Sequence, residues 1–149
     1  MSKLFLYYSH SGNGDVVAAY LQERGFESRK VQRQKKLPKA LFPLMMKGGF
    51  LAATKHKDKL RDFDTNLEGY EEILIGSPIW NGRFASPTNT LLSKVDLSNK
   101  KVAFVFYAGG GEAPKAEKRV AKEYPSASCI VLKEPKKHPE ELEKLSAIL

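Results

Sequence analysis

Short runs of apolar residues alternate along the chain with longer stretches in which apolar residues recur at helical spacing. Such runs, bounded by glycine, serine or proline, are typical of buried strands. They occur at residues 3–8, 72–75, 101–107 and 128–132, with a more exposed one at 27–33. The remaining periodic stretches predict helices, one between Asp15 and Gly25 and others at 86–95, 112–124 and 139–149.

This alternation predicts an α/β fold in which five parallel strands form one sheet with helices on both faces. Ligands of such a doubly wound sheet bind outside the carboxyl ends of the strands, where the strand order reverses. The loops that follow Tyr8, Ile75 and Tyr107 would meet at that edge. We therefore expect function to reside in these three loops.

The length of 149 residues favours a single domain, large enough to bury a core without metal or disulfide cross-links. Cys129 is the only cysteine, and neither cysteine nor histidine occurs at zinc-binding spacing. No apolar stretch resembles a signal peptide or a membrane span. We expect a cytoplasmic protein with no transmembrane segment and no bound metal.

The net charge of +8 comes from one segment of the chain. Between Arg29 and Arg61 there are eleven basic residues and one acid, Asp58, whereas the rest of the chain is slightly acidic. Basicity without a recognition motif or an aromatic stacking platform is weak support for nucleic-acid binding. We expect no specific nucleic-acid partner.

The first of the three loops joins a strand to a helix. It consists of Ser9, His10, Ser11, Gly12, Asn13, Gly14 and Asp15. Small residues allow backbone N–H groups to turn inwards, the serines add hydroxyl groups, and the start of a helix favours an anion. The loop lacks the third glycine of a dinucleotide fingerprint and the Gly-Lys-Ser/Thr of a Walker loop. It predicts a phosphate site, with an ordinary capped turn as the alternative.

Three motifs together resemble the FMN-binding loops of the flavodoxin family. They are Ser9-x-Ser11-Gly12-Asn13 after the first strand, Gly76-Ser77-Pro78-Ile79-Trp80-Asn81-Gly82 after the third, and Ala108-Gly109-Gly110-Gly111 after the fourth. The resemblance covers nearly the whole chain. It implies a flavodoxin-like sheet with strand order 2-1-3-4-5, FMN at the strand ends, and cofactor contacts from residues 9–15, 77–82 and 108–111.

For the first loop, the resemblance implies that the hydroxyls of Ser9 and Ser11 and the amides of residues 12–15 bind the FMN phosphate. Gly14 departs from the family, which usually has a hydroxyl residue there. Asp15 brings a carboxylate near a dianion, which is tolerable only if its side chain turns to solvent. Both features predict weaker FMN binding than is typical.

For the second loop, the resemblance implies that Trp80 stacks on the flavin, with a core tryptophan as the alternative. The Asn81-Gly82 peptide corresponds to the one that flips towards flavin N5 upon one-electron reduction. Gly82 would allow the positive φ that the flip requires, but an ordinary Asn-Gly turn needs the same residue.

For the third loop, the resemblance implies that the three glycines let the backbone approach the pyrimidine side of the ring. Many flavodoxins carry a second stacking aromatic in this loop. None occurs here between Tyr107 and Tyr124. One face of the ring would therefore be bare, or roofed by another part of the chain.

A basic insertion, at about residues 32–70, separates the second strand from the third. The favoured interpretation is a crossover helix with its lead-in, formed by residues 40–46 and 50–54. The alternatives are a flavin lid hinged at Gly48-Gly49, a docking surface for an acidic redox partner and, less favoured, a membrane-surface patch.

The resulting hypothesis is a flavodoxin-like electron-transfer protein whose FMN passes through one-electron steps and whose redox partner has an acidic surface. An NAD(P)H-dependent flavin or quinone reductase of the same fold is the alternative. A cofactor-free interaction module is a third hypothesis. The sequence offers no identifiable catalytic acid or base.

Overall fold

The computed structural model describes residues 2–34 and 59–149. Its strands are β1 (Ser2–Tyr7), β2 (Phe26–Lys30), β3 (Tyr70–Trp80), β4 (Arg83–Phe84), β5 (Lys101–Ala108) and β6 (Ser128–Lys133). Its α-helices are α1 (Asn13–Gln22), α2 (Ser86–Lys94) and α3 (Pro114–Glu123), and a 3₁₀ helix covers Pro139–Ile148. The predicted alternation of strands and helices is confirmed in these ranges.

Within the described residues, five strands form a parallel sheet in the order β2-β1-β3-β5-β6. The two-residue strand β4 pairs antiparallel with the end of β3 and lies off this path. With β4 set aside, the order is the predicted 2-1-3-4-5. The fold is therefore the expected flavodoxin-like arrangement, with the strand order reversing between β1 and β3.

Both faces of the sheet are buried, which is why its strands read as continuous apolar runs. Alternate residues enter two separate cores. One core contains Leu4, Leu6, Ile73, Ile75, Phe104 and Phe106, and the other contains Phe5, Tyr7, Leu74 and Val105. The second core is completed by Val17, Ala18 and Leu21 of α1 and by Leu145 of the 3₁₀ helix.

The structure corrects the end of the third strand, which was expected at Ile75. Strand β3 continues through Gly76 and Pro78 to Trp80, because β5 pairs with it as far as Pro78 and β4 pairs with its last two residues. A Cβ atom on Gly76 would lie 2.5 Å from Phe5 Cζ. This glycine therefore allows close packing between strands rather than a turn.

Two further elements differ from expectation. Strand β2 ends at Lys30 rather than at residue 33, and the chain then forms an isolated bridge between Arg33 and Leu60. The closing helix is 3₁₀ rather than α. The predicted crossover helix at 40–46 and 50–54 and the hinge at Gly48-Gly49 lie outside the described residues.

The segment that leads into β3 is anchored by two cations. The Arg29 guanidinium donates hydrogen bonds to the carbonyls of Asp64 (3.1 Å) and Asn66 (2.7 Å). Lys100 Nζ donates to the carbonyls of Leu67 (2.9 Å) and Tyr70 (2.6 Å).

Among residues 2–34 and 59–149, no helix has the length and apolar character needed to cross a membrane.

Candidate functional site

The first and third predicted loops begin at the same edge of the sheet. The backbone N–H of Tyr8 donates to the carbonyl of Gly76 (3.1 Å), and the Tyr107 hydroxyl donates to the carbonyl of Tyr8. The ring of Tyr8 also meets Trp80 edge to face, with ring centroids 6.1 Å apart. The ends of β1, β3 and β5 are thus bound together where the strand order reverses.

The first loop closes around the Ser9 hydroxyl. Gly12 adopts φ 93°, and Ser9 Oγ accepts hydrogen bonds from the amides of Gly12 (3.2 Å) and Gly14 (3.0 Å). These two amides were expected to point at phosphate, and in the structure they point at Ser9 Oγ. The Ser9 O–H can still donate, and the amides of Asn13 and Asp15 lie in the first turn of α1, where a helix offers them no acceptor.

Gly14 is packed too tightly to be replaced by a larger residue. A Cβ atom at this position would lie 2.6 Å from Tyr107 Oη, 2.7 Å from Tyr7 Cδ2 and 2.8 Å from Ser9 Cβ. Burial raises the pKa of Tyr107 well above its ordinary value, so its hydroxyl stays a proton donor to Tyr8. The glycine that departs from the family pattern is therefore required by the two tyrosines packed against it.

The Asp15 carboxylate is engaged by two partners. Tyr7 Oη donates to Oδ1 (2.9 Å), and Lys30 Nζ lies 3.0 Å from Oδ1 and 3.1 Å from Oδ2. Burial, followed by the hydrogen bond to Asp15, raises the pKa of Tyr7 well above its ordinary value. The side chain is thus directed towards Tyr7 and Lys30 rather than to solvent alone.

The structure places four residues of the expected second loop inside a strand. The side chains of Ser77, Pro78, Ile79 and Trp80 are buried within β3. Ser77 Oγ donates to the carbonyl of Pro78 (2.8 Å) and accepts from Thr88 Oγ1 (2.6 Å), so its hydroxyl ties β3 to α2. Trp80 is 1% exposed and belongs to the core, which is the alternative to flavin stacking.

Only Asn81 and Gly82 of the second loop lie outside the strand. Their φ angles are 51° and 77°, and Trp80 pairs with Arg83 on either side of them. Positive φ at both central residues is the pattern of a type I′ hairpin turn. Gly82 has the predicted positive φ, and the turn is also the ordinary Asn-Gly turn that was the alternative.

The third loop has open space around two of its glycines. A Cβ atom on Gly109 or Gly110 would meet nothing within 4 Å, and both residues are exposed. Gly111 has φ 75°, and its N–H donates to the carbonyl of Ala108 (3.2 Å), which closes the turn.

Lys136, in the loop that follows β6, was missed by sequence reasoning. Its backbone N–H donates to Asn13 Oδ1 (3.0 Å), and its Nζ lies 3.5 Å from the carbonyl oxygen of Ser11. In the same loop, the N–H of Glu134 donates to the carbonyl of Ala108 (3.3 Å). This loop therefore joins the first loop to the third. Its place after the fifth parallel strand is the one sequence signal that could have found it.

The assembled donors fit a phosphorylated planar ligand. Serine hydroxyls, first-turn amides and the Lys136 amine are all donors suited to an anion. Gly109 and Gly110 of the third loop have open space around the position of a Cβ atom. The flavodoxin family model matches residues 2–144. The chain belongs to the flavodoxin family.

Solved structures with the same flavodoxin fold include three bacterial proteins. A candidate flavoprotein from Bacteroides eggerthii has a TM-score of 0.76 at 18% identity, covering 99% of this chain and 97% of that one. Another from Bacteroides uniformis has a TM-score of 0.70 at 22% identity, covering 87% of this chain and 86% of that one. A flavoprotein in complex with FMN from Lactobacillus acidophilus has a TM-score of 0.66 at 24% identity, covering 93% of this chain and 97% of that one. No curated protein matches significantly.

A basic groove lies beside the second loop of this flavodoxin-family chain. Five cations and one acid line it together with Phe84 and Ala116: Arg83, Lys115, Lys118, Arg119, Lys122 and Glu123. Arg119 lies 4.1 Å from the Phe84 ring and pairs with Glu123 (2.9 Å). The three lysines are exposed on one face of α3. Lys115 Cδ would lie 3.5 Å from a Cβ atom on Gly82, so the groove begins at the Asn81-Gly82 turn.

Proposed function

We propose that the chain is an FMN-binding electron-transfer protein of the cytoplasm. One observation carries the proposal: the first and third loops begin together at the switch point of the sheet, the first with anion donors and the third with open glycines. Membership of the flavodoxin family and the FMN complex of the Lactobacillus acidophilus protein support the choice of ligand.

Each loop has a defined task in this proposal. Bound FMN would supply the redox chemistry, and the protein supplies its placement and electrostatics. The Ser11 hydroxyl and the first-turn amides of Asn13 and Asp15 would hold the phosphate. The hydrogen bond from Tyr7 and the ion pair with Lys30 would offset the negative charge of Asp15 near that anion. The Asn81-Gly82 turn and the third loop would offer backbone groups to the ring.

A second candidate function is an NAD(P)H-dependent flavin or quinone reductase. The exposure of Gly109 and Gly110 favours it, because an uncovered ring face would admit a hydride donor. The two functions differ in how electrons reach the flavin: singly from a partner protein, or as a hydride pair.

Anaerobic reduction of the FMN-loaded protein separates the two functions. In a stepwise dithionite titration, we expect absorbance from flavin reduced by one electron, and we expect NADH or NADPH alone to leave the yellow colour unchanged. Rapid bleaching by NAD(P)H without the one-electron species would support the reductase. Failure to take up FMN at all would favour the cofactor-free module.

The redox partner in this proposal has an acidic surface that docks at the α3 groove. The basic segment was the first candidate for docking, but most of it lies outside the described residues. The groove supports the same partner chemistry, since its lysines surround a single acid that already pairs with Arg119. The groove also adjoins the turn proposed to contact the flavin, so a partner bound there would be close to the flavin ring.

Charge reversal at Lys118 and Lys122 should slow electron transfer to anionic acceptors. We expect the Lys118→Glu/Lys122→Glu protein, loaded with FMN and reduced, to be oxidised by ferricyanide about three- to tenfold more slowly at low ionic strength. The difference should vanish at high salt. Lys94→Glu/Lys144→Glu makes the same change in net charge elsewhere. Equal slowing by both pairs would show that net charge, not the groove, guides the acceptor.

A further inference from the structure

Hydrogen bonds in the loop after β6 fix the backbone position of Lys136. The carbonyl of Glu134 accepts hydrogen bonds from the amides of Lys137 (2.9 Å) and His138 (2.9 Å), which closes a tight turn around Lys136. The Lys136 amide in turn donates to Asn13 Oδ1 (3.0 Å). The backbone of this lysine is therefore fixed against the start of α1, although 123 residues separate the two partners.

The Lys136 side chain lies along the first loop, although the residue is exposed. A Cβ atom on Gly12 would be 3.2 Å from Nζ and 3.3 Å from Cδ, and Nζ lies 3.5 Å from the Ser11 carbonyl oxygen. An ammonium group has three donors, and the contact with Ser11 uses one of them. The remaining donors can reach an anion held by the same loop.

The charges around the first loop leave that ammonium effective towards an anion. Asp15 is the carboxylate within the loop, and it is engaged by Tyr7 and Lys30. Glu134 lies in the same turn as Lys136, and its carboxylate is 3.8 Å from the Nζ of Lys137. Both nearby acids thus have cations of their own, and the charge of Lys136 adds to the field of the helix N-terminus.

We propose that Lys136 is the cationic ligand of the FMN phosphate and the residue through which the chain prefers FMN to riboflavin. The inference rests on the proposed FMN function and adds a residue from outside the three expected loops. It also makes FMN binding dependent on ionic strength, because part of the phosphate contact is a charge pair near the surface.

Dissociation constants for FMN and riboflavin, measured by quenching of flavin fluorescence, test this assignment. We expect Lys136→Gln to weaken FMN binding about five- to tenfold, since a charge-assisted hydrogen bond to phosphate is lost at an exposed position. Riboflavin, which lacks the phosphate, should bind as before. Lys136→Arg should retain most of the FMN affinity, and Lys94→Gln, which removes an exposed charge at the end of α2, should change neither constant.

The outcomes distinguish this inference from the proposed function. Unchanged FMN affinity in Lys136→Gln, or equal weakening for FMN and riboflavin, would overturn the role of Lys136 alone. Absence of FMN binding by the unaltered chain would overturn the proposed function and the inference with it. A flatter dependence of FMN affinity on NaCl concentration in Lys136→Gln, with an unchanged melting temperature, would support a direct charge contact.

Discussion

Replacement of Trp80 by alanine is expected to lower the free energy of unfolding by about 3–5 kcal/mol, because a large buried side chain is lost and a cavity remains. Trp80 is 1% exposed and packs edge to face against Tyr8. For a domain whose total stability is about 5–15 kcal/mol, this loss is severe. Urea denaturation of the cofactor-free protein, followed by far-ultraviolet circular dichroism, measures it.

Trp80→Phe is the matched variant, since it keeps an aromatic ring in the core and should cost less than the alanine substitution. Retained stability with a loss of flavin affinity would instead support the stacking role that the sequence suggested. If Trp80→Ala kept its stability and instead lost flavin affinity, the indole would have to lie against the cofactor rather than in the core.

Introduction of a hydroxyl residue at position 14 is expected to damage the protein rather than improve its phosphate site. The family pattern suggests that Gly14→Thr would add a phosphate ligand. The added Cβ would instead meet Tyr107 Oη at 2.6 Å and Tyr7 Cδ2 at 2.7 Å. Such overpacking costs about 1–3 kcal/mol. Thermal and urea unfolding should show the loss, and FMN affinity should fall.

Gly110→Ala is the control for this prediction. Its added Cβ would meet nothing within 4 Å, and Gly110 is not among the glycines with positive φ. Its effect on stability should stay within about 0.5 kcal/mol. A Gly14→Thr protein with unchanged stability and tighter FMN binding would contradict the packing account of position 14.

The fold was largely predictable because a parallel sheet covered on both faces leaves an unmistakable pattern of apolar runs. The end of β3 was not predictable in the same way. Gly76-Ser77-Pro78 has the composition of a turn, yet Gly76 packs under Phe5 and Ser77 bonds to Thr88. Both contacts join separate elements of the fold, and local composition does not contain them.

The candidate site also contains some features that the sequence predicted and others that it did not. The small residues of the first loop and the positive φ of Gly82 depend on local chemistry and were predicted. The burial of Trp80 and the position of Lys136 depend on how separate elements pack. The hydrogen bond between the Lys136 amide and Asn13 joins opposite ends of the chain, and no local sequence pattern predicts it.

The central claim is that separate loops at one edge of the sheet form a single FMN site. Titration of ¹⁵N-labelled protein with FMN, followed by amide NMR shifts, tests it most directly. The account predicts that the largest shifts fall on residues 12–15, 81–82, 109–111 and on Lys136, while the amides of the 3₁₀ helix Pro139–Ile148 move little. Shifts confined to one loop, or none in any of them, would contradict it.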